Sequence, residues 1–188
     1  MEKKSLRALF REKVSLLPFD ERQTQSQQIG LKILSFLEKA QEGYWSLYWP
    51  LSDEPDLSSC FEKKPSHIQW VLPKVQASGE LSFYHIQDSK DLKPNAWGLM
   101  QPDTQQCALV SKQDINGFII PALAYDSNGV RLGRGGGYYD QTLKDCAGQK
   151  IGVIFENSFS QDPLPKETHD QSVDFVVTAN TWIQVRGL

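Results

Sequence analysis

Two runs in the last quarter of the chain, KIGVIFE (150–156) and VDFVV (173–177), are almost unbroken stretches of apolar, β-favouring residues. A strand with one wet face alternates apolar and polar side chains. A strand apolar at nearly every position is buried on both faces, which is the condition of a parallel sheet covered by helices. GFIIPALAYD (117–126) has the same character before it passes into a loop. Helical patterns alternate with these runs. Leu6, Leu9, Phe10, Val14 and Leu17 recur at three- and four-residue spacing and predict a first helix ended by Pro18. A second helix, capped by Asp20, has an apolar face of Ile29, Ile33, Leu34 and Leu37. YWSLYW (44–49) reads as a strand stopped by Pro50. SDEPDLSSCFEKK (52–64) reads as a loop entering a short helix, with Pro55 in its first turn. HIQWVLP (67–73) and LSFYHI (81–86) are two more strands, with turn chemistry at Ser78 and Gly79. Residues 87–107 are irregular and polar, and a helix is expected from about Tyr138 to Cys146. The expected fold is a layered α/β/α domain, with a mostly parallel central sheet and an N-terminal helical segment, occupying residues 1–188 as one unit.

Composition narrows the function classes. A net charge of −3 argues against a general electrostatic grip on nucleic acid. No apolar run approaches a membrane span, and the charged N-terminal MEKKSLRALFREK has no signal-peptide core. Cys60, Cys107 and Cys146 have neither metal-ligand nor disulfide spacing, so a reducing, cytoplasmic setting is expected.

GVRLGRGGGYYD (129–140) carries the chemistry. Glycines reach positive φ cheaply and let backbone amides approach a ligand closely. Successive amides ahead of a helix N-terminus form an anion nest, to which Arg131 and Arg134 add fixed charge and forked donors. The stretch lacks the Lys-Ser/Thr ending of a Walker loop, and Tyr138 stands where a dinucleotide fingerprint has its third glycine. The alternative, a flexible surface turn, fits poorly with two arginines followed by Tyr138, Tyr139 and Asp140.

PALAYDSNGVRLGRGGGYYD (121–140) and LPKETHDQSVDFVVT (164–178), with KKSLR (3–7) and YWPLSDEPD (48–56), resemble the 5-formyltetrahydrofolate cyclo-ligase family across almost the whole chain. The resemblance implies an enzyme that converts 5-formyltetrahydrofolate to 5,10-methenyltetrahydrofolate, with ATP as co-substrate and Mg²⁺ as cofactor. The formyl oxygen leaves poorly from an amide. Transfer of the γ-phosphoryl group to it creates a good leaving group, N10 closes the ring, and ADP and phosphate are released. Such chemistry depends mainly on positioning and charge stabilisation.

The resemblance also implies roles. Lys3, Lys4, Ser5, Leu6 and Arg7 match a nucleotide-contacting segment, in which Lys3 and Arg7 lie one helical turn apart. Arg131, Leu132, Gly133, Arg134, Gly135, Gly136, Gly137, Tyr138 and Tyr139 match the main ATP loop. Arg134, Gly135, Gly136, Gly137 and Tyr138 also match folate-facing positions. Arg134 is expected nearest the transferred phosphoryl group, and Tyr138 is expected to orient the formyl region. Asp140 and Asp170 match the magnesium-contacting aspartates, whereas His169 reads as structural. Glu54 matches the pterin-binding glutamate and Trp49 an apolar substrate contact, with Trp97, Phe83 and Tyr84 completing an aromatic wall. Leu57, Gln101 and the segment after Glu156 depart from the family pattern, and the departures are expected to border the folate pocket. A folate-binding or regulatory module with little turnover is the alternative, and a phosphotransferase on a similar scaffold is a third reading. Partners are expected to be small molecules acting on a monomer, with no nucleic acid and no membrane.

Overall fold

The structure is a computed structural model and describes residues 2–95 and 98–185. Its centre is an eight-stranded sheet, built from β1 (Gly43–Ser46), β2 (Ile68–Val75), β3 (Leu81–Ile86), β6 (Leu109–Val110), β7 (Ile115–Pro121), β10 (Gln149–Val153), β12 (Phe175–Val177) and β13 (Trp182–Gln184). The strand order is β13-β12-β10-β7-β1-β2-β3-β6. The five strands from β12 to β2 run parallel. Antiparallel β13 closes one edge, and antiparallel β3 and β6 close the other. Two small sheets accompany it. In one, β4 (Leu92–Pro94) pairs with β5 (Met100–Pro102); the other has the order β11-β8-β9, from Phe159–Ser160, Ala124–Asp126 and Arg131–Leu132.

Alternation along each parallel strand divides the core into two layers. Trp45, Trp70, Ile119, Ile151 and Val177 face α2 (Phe19–Leu37), whose Ile29, Ile33 and Leu37 are fully buried; α3 (Cys60–Lys63) packs beside it. Val71, Phe118, Ile120 and Val176 face the opposite side, covered by α4 (Tyr138–Leu143) and Tyr125. The doubly buried runs in the sequence therefore become the sheet centre, and the α/β/α layering holds. A third cluster of Phe10, Leu123, Ala124, Val130, Leu132 and Leu164 fastens α1 (Lys3–Ser15) to the β11-β8-β9 sheet.

Several boundaries differ from the sequence reading. Leu17 lies outside α1, and the residue preceding α2 is Pro18; Asp20 makes no capping bond and sits inside the first turn with Glu21, where a carboxylate favours the helix dipole. The strand at YWSLYW ends at Ser46, because Leu47 makes its last sheet bond, to Val71, before the chain bends away. Pro55 precedes α3 by several residues instead of opening it. The irregular segment contains a single helical turn, Ser89–Asp91, closed by a capping box of Asp88 and Asp91, and after it the β4–β5 pair. β8, β9, β11 and β13 are too short to register as patterns.

Candidate active site

A cleft of about 1000 Å³ opens beyond the carboxyl ends of β1, β2 and β7, where an open α/β sheet places its ligands. Tyr48, Trp49, Leu51 and Glu54 enter from the segment after β1; Lys74 and Val75 come from β2, and Pro121 and Ala122 from the end of β7. One wall is the glycine loop, residues 131–140. Lys3 and Arg7 of α1, with Glu167, His169 and Asp170, close that end.

The loop is built as its composition demands. Asp126 is fully buried and ties its approach: Oδ1 accepts the amides of Asn128 and Val130, and Oδ2 accepts that of Leu164. Arg131 then pairs with Tyr125 across β8 and β9. Gly135 and Gly137 have φ of 106° and 69°, conformations that a side chain makes costly. Gly137 is the residue preceding α4, so the loop runs directly into a helix N-terminus. Among the described residues no backbone acceptor takes the amides of Gly135, Gly136 or Gly137. Gly135, Gly136, Gly137 and Tyr138 are exposed to the cleft mouth, with Tyr138 42% exposed and not packed in the core. Tyr139 turns inward, and burial together with the nearby Glu54 charge pushes its phenol well above the usual range.

The four cationic side chains that converge on this end of the cleft, Lys3, Arg7, Arg131 and Arg134, are each held by an oxygen partner. Arg7 Nε donates to the Gly133 carbonyl at 2.9 Å, which lays its guanidinium beside Gly135. Lys3 Nζ lies 2.6 Å from Asp170 Oδ2 and 2.8 Å from Glu167 Oε1. Arg131 Nη2 lies 2.6 Å from Asp140 Oδ2, whereas its buried Nε has no partner among the described residues. Arg134 is gripped from two sides. Its Nε donates to Glu54 Oε1 at 3.0 Å, and its terminal nitrogens donate to both oxygens of Asp53. The second oxygen of Glu54 accepts the Leu51 amide at 3.0 Å. Glu54 is 7% exposed, and burial raises its pKa despite the pull of Arg134.

Asp140 and Asp170 share one end of the cleft, because Asp140 Oδ1 accepts the amide of Gln171, the residue after Asp170. No cluster of three or more acidic, histidine or cysteine ligands occurs among the described residues. A magnesium ion needs only one or two carboxylates when phosphates and waters supply the rest, so this pair suits it on exchange with Arg131 and Lys3.

Most of the expected site residues meet in this cleft: Lys3, Arg7, Trp49, Glu54, Arg131, Leu132, Gly133, Arg134, Gly135, Gly136, Gly137, Tyr138, Tyr139, Asp140 and Asp170. Lys4 and Ser5 are exposed and lie outside the lining, on the wet side of α1, and Leu6 packs against the Phe10 cluster. The aromatic wall does not form as expected. Phe83 is buried against Phe118 under the sheet, Tyr84 packs on the α2 side, and Trp97 lies outside the described residues. Of the departures, Gln101 lines the cleft, but Leu57 is fully buried 3.8 Å from a Cβ built on Gly30 of α2 and belongs to the core. His169 is largely exposed beside Glu167. Asp53, Asp126 and Glu167 escape the sequence reading; the turn residues DSNG (126–129) were the one local signal, for Asp126, whereas Asp53 and Glu167 meet their cations only in the fold.

Comparison with known proteins identifies the family. The sequence pattern of the 5-formyltetrahydrofolate cyclo-ligase family matches residues 1–179. The mouse 5-formyltetrahydrofolate cyclo-ligase is 26% identical over 190 residues, covering 93% of this chain and 92% of its own. The Mycoplasma pneumoniae protein of the same name is 28% identical over 182 residues, covering 94% and 98%. The solution structure of Aquifex aeolicus 5,10-methenyltetrahydrofolate synthetase superposes with a TM-score of 0.87 at 31% identity, covering 100% of this chain and 94% of that one. With sequence pattern and fold in agreement from α1 to the strand after Asp170, this chain belongs to the 5-formyltetrahydrofolate cyclo-ligase family.

Proposed function

We propose that the protein catalyses the ATP-dependent conversion of 5-formyltetrahydrofolate to 5,10-methenyltetrahydrofolate. The observation that carries this reading is the convergence of the glycine loop, Lys3, Arg7 and Arg134 with the buried Glu54 in one cleft. Groups suited to an anion and a buried carboxylate suited to a pterin edge thus line one cleft, as a transfer between a nucleotide and a folate requires.

In this reading the amides of Gly135, Gly136 and Gly137 and the N-terminus of α4 receive the terminal phosphates. Arg7 and Lys3 close over them from α1, and Arg134, beside Glu54, stands at the join between phosphate and pterin. Glu54 accepts from the amino-pyrimidinone edge, and Trp49 covers the ring. Tyr138 at the mouth orients the formyl group. Phosphorylation turns the formyl oxygen into a leaving group, N10 attacks the formyl carbon, and phosphate departs. Asp140 and Asp170 would hold Mg²⁺, which supplies charge neutralisation for the triphosphate. In this reading the polypeptide works as one domain over residues 1–188 and as a monomer, and its three unpaired cysteines suit the cytoplasm. No helix among the described residues is long and apolar enough to cross a membrane.

The test is direct: purified protein with 5-formyltetrahydrofolate, ATP and Mg²⁺ should form the methenyl product, with ADP and phosphate in equal amounts. Arg134→Ala should lower kcat/KM by at least about a hundredfold, as loss of a donor to transition-state charge does. Tight folate binding by folded wild-type protein without product would instead establish the folate-binding module.

A further inference from the structure

Arg134 is far more occupied than a phosphate-binding arginine awaiting its ligand needs to be. A guanidinium has five N–H donors. Here Nε and Nη2 both face Glu54 Oε1 at 3.0 Å, Nη1 donates to Asp53 Oδ2 at 3.1 Å, and Nη2 donates to Asp53 Oδ1. Among the described residues, only the second N–H of Nη1 is without a partner. A carboxylate and a phosphate present the same paired-oxygen edge to an arginine fork, so they compete for it. The two carboxylates are not equivalent. Glu54 is 6% exposed in its side chain and also anchored by the Leu51 amide, whereas the Asp53 side chain is 25% exposed. Asp53 is the partner that water can reclaim at low cost.

We propose that Asp53 is a positioning residue that acts through Arg134: it holds the end-on fork of the guanidinium as a stand-in for phosphoryl oxygens and yields that place when nucleotide binds. Arg134 keeps its Glu54 contact throughout, so the exchange points the fork at the phosphates without detaching it from the pterin side. This rests on the nucleotide reading of the cleft given above. The consequence is a built-in opposition to nucleotide binding, exerted through one side chain and specific to the arginine fork.

The probe is β,γ-methylene-ATP with Mg²⁺, titrated calorimetrically into wild type, Asp53→Asn, Asp53→Ser, Arg134→Lys and the Asp53→Asn/Arg134→Lys double variant. Both Asp53 variants should bind the analogue about fivefold or more tightly than wild type, a coupling of ordinary size. Because lysine keeps the charge but has no fork, Asp53→Asn should change nothing in the Arg134→Lys background. Unchanged or weaker binding in both Asp53 variants overturns the proposal. So does equal tightening in the Arg134→Lys background, which would be a long-range charge effect. If neither Asp53 variant keeps the wild-type melting transition, Asp53 is a folding residue and the proposal also fails. Wild type that does not bind the analogue at all refutes the nucleotide reading itself.

Discussion

Lys3 shows how individual side chains tie the site together. Burial pulls its pKa down, but the hydrogen bonds and charges of Asp170 and Glu167 outweigh this and hold it above its ordinary 10.5. For Asp170, burial pulls upward and is outweighed by the Glu167 amide and Lys3, so it lies below its ordinary 3.8. The signs follow from linkage. Lys3 contributes stability that is complete below pH 10.5 and lost as pH rises through its folded value. Asp170 contributes stability present above pH 3.8 and lost as pH falls through its folded value. Thermal melts should therefore show a steeper decline of wild type than of Lys3→Met above pH 10.5; parallel curves would remove the pair from the stability of α1. Arg7 has a different task. Its Nε bond to the Gly133 carbonyl fixes the guanidinium against the loop. Arg7→Ala should raise KM for ATP about tenfold or more, in line with a lost charge-assisted hydrogen bond, and leave KM for the folate unchanged. Initial rates with each substrate varied in turn decide this. These residue types were legible from the sequence. Their partners were not, because Asp53 and Arg134 are 81 positions apart and Lys3 and Asp170 are 167 apart.

At the scale of elements, β1, β2 and β3 were legible in the sequence from their β-favouring residues, and β7, β10 and β12, buried on both faces, most plainly of all, because solvent exclusion writes itself into every position. The strands it missed lie at edges or in the small sheets, where two or three residues cannot show a period. Pairing across the small sheet, not local preference, makes β8 and β9 the frame of the glycine loop. Gly152 of β10 shows how that frame is braced. A Cβ built there lies 2.5 Å from the ring of Tyr125, which is fully buried on β8 and donates its hydroxyl to Ile120. Gly152→Ala should cost at least about 2 kcal/mol, since a buried ring has no low-cost escape from overpacking. It should also lower kcat by displacing Arg131, the β-partner of Tyr125. Urea unfolding with an unchanged slope, alongside steady-state kinetics, would show both effects; a stable, fully active variant would mean that the small sheet moves independently of the loop.

For the whole molecule, the cleft joins distant parts of the chain: α1, the segment after β1, the end of β2, the glycine loop and the segment around Asp170. Ligands binding there should stabilise the fold as a unit. Nucleotide with Mg²⁺ at a hundred times its Kd should add about 2.7 kcal/mol, or roughly 5–10 °C in Tm for a chain of this length. A melting temperature insensitive to nucleotide would show that the loop does not bind it. Local chemistry alone specified the layered α/β fold, through runs too apolar to touch water, and marked the glycine- and arginine-rich stretch as a special loop. Folding was needed to assign Leu57 to the core and Gln101 to the cleft, and to leave Lys4 outside the cleft lining. It alone matched Lys3, Arg131 and Arg134 with their carboxylates and Arg7 with the Gly133 carbonyl. Burial and ion pairing are relations between residues distant along the chain, and the side chains that take part show no local period by which they could be read.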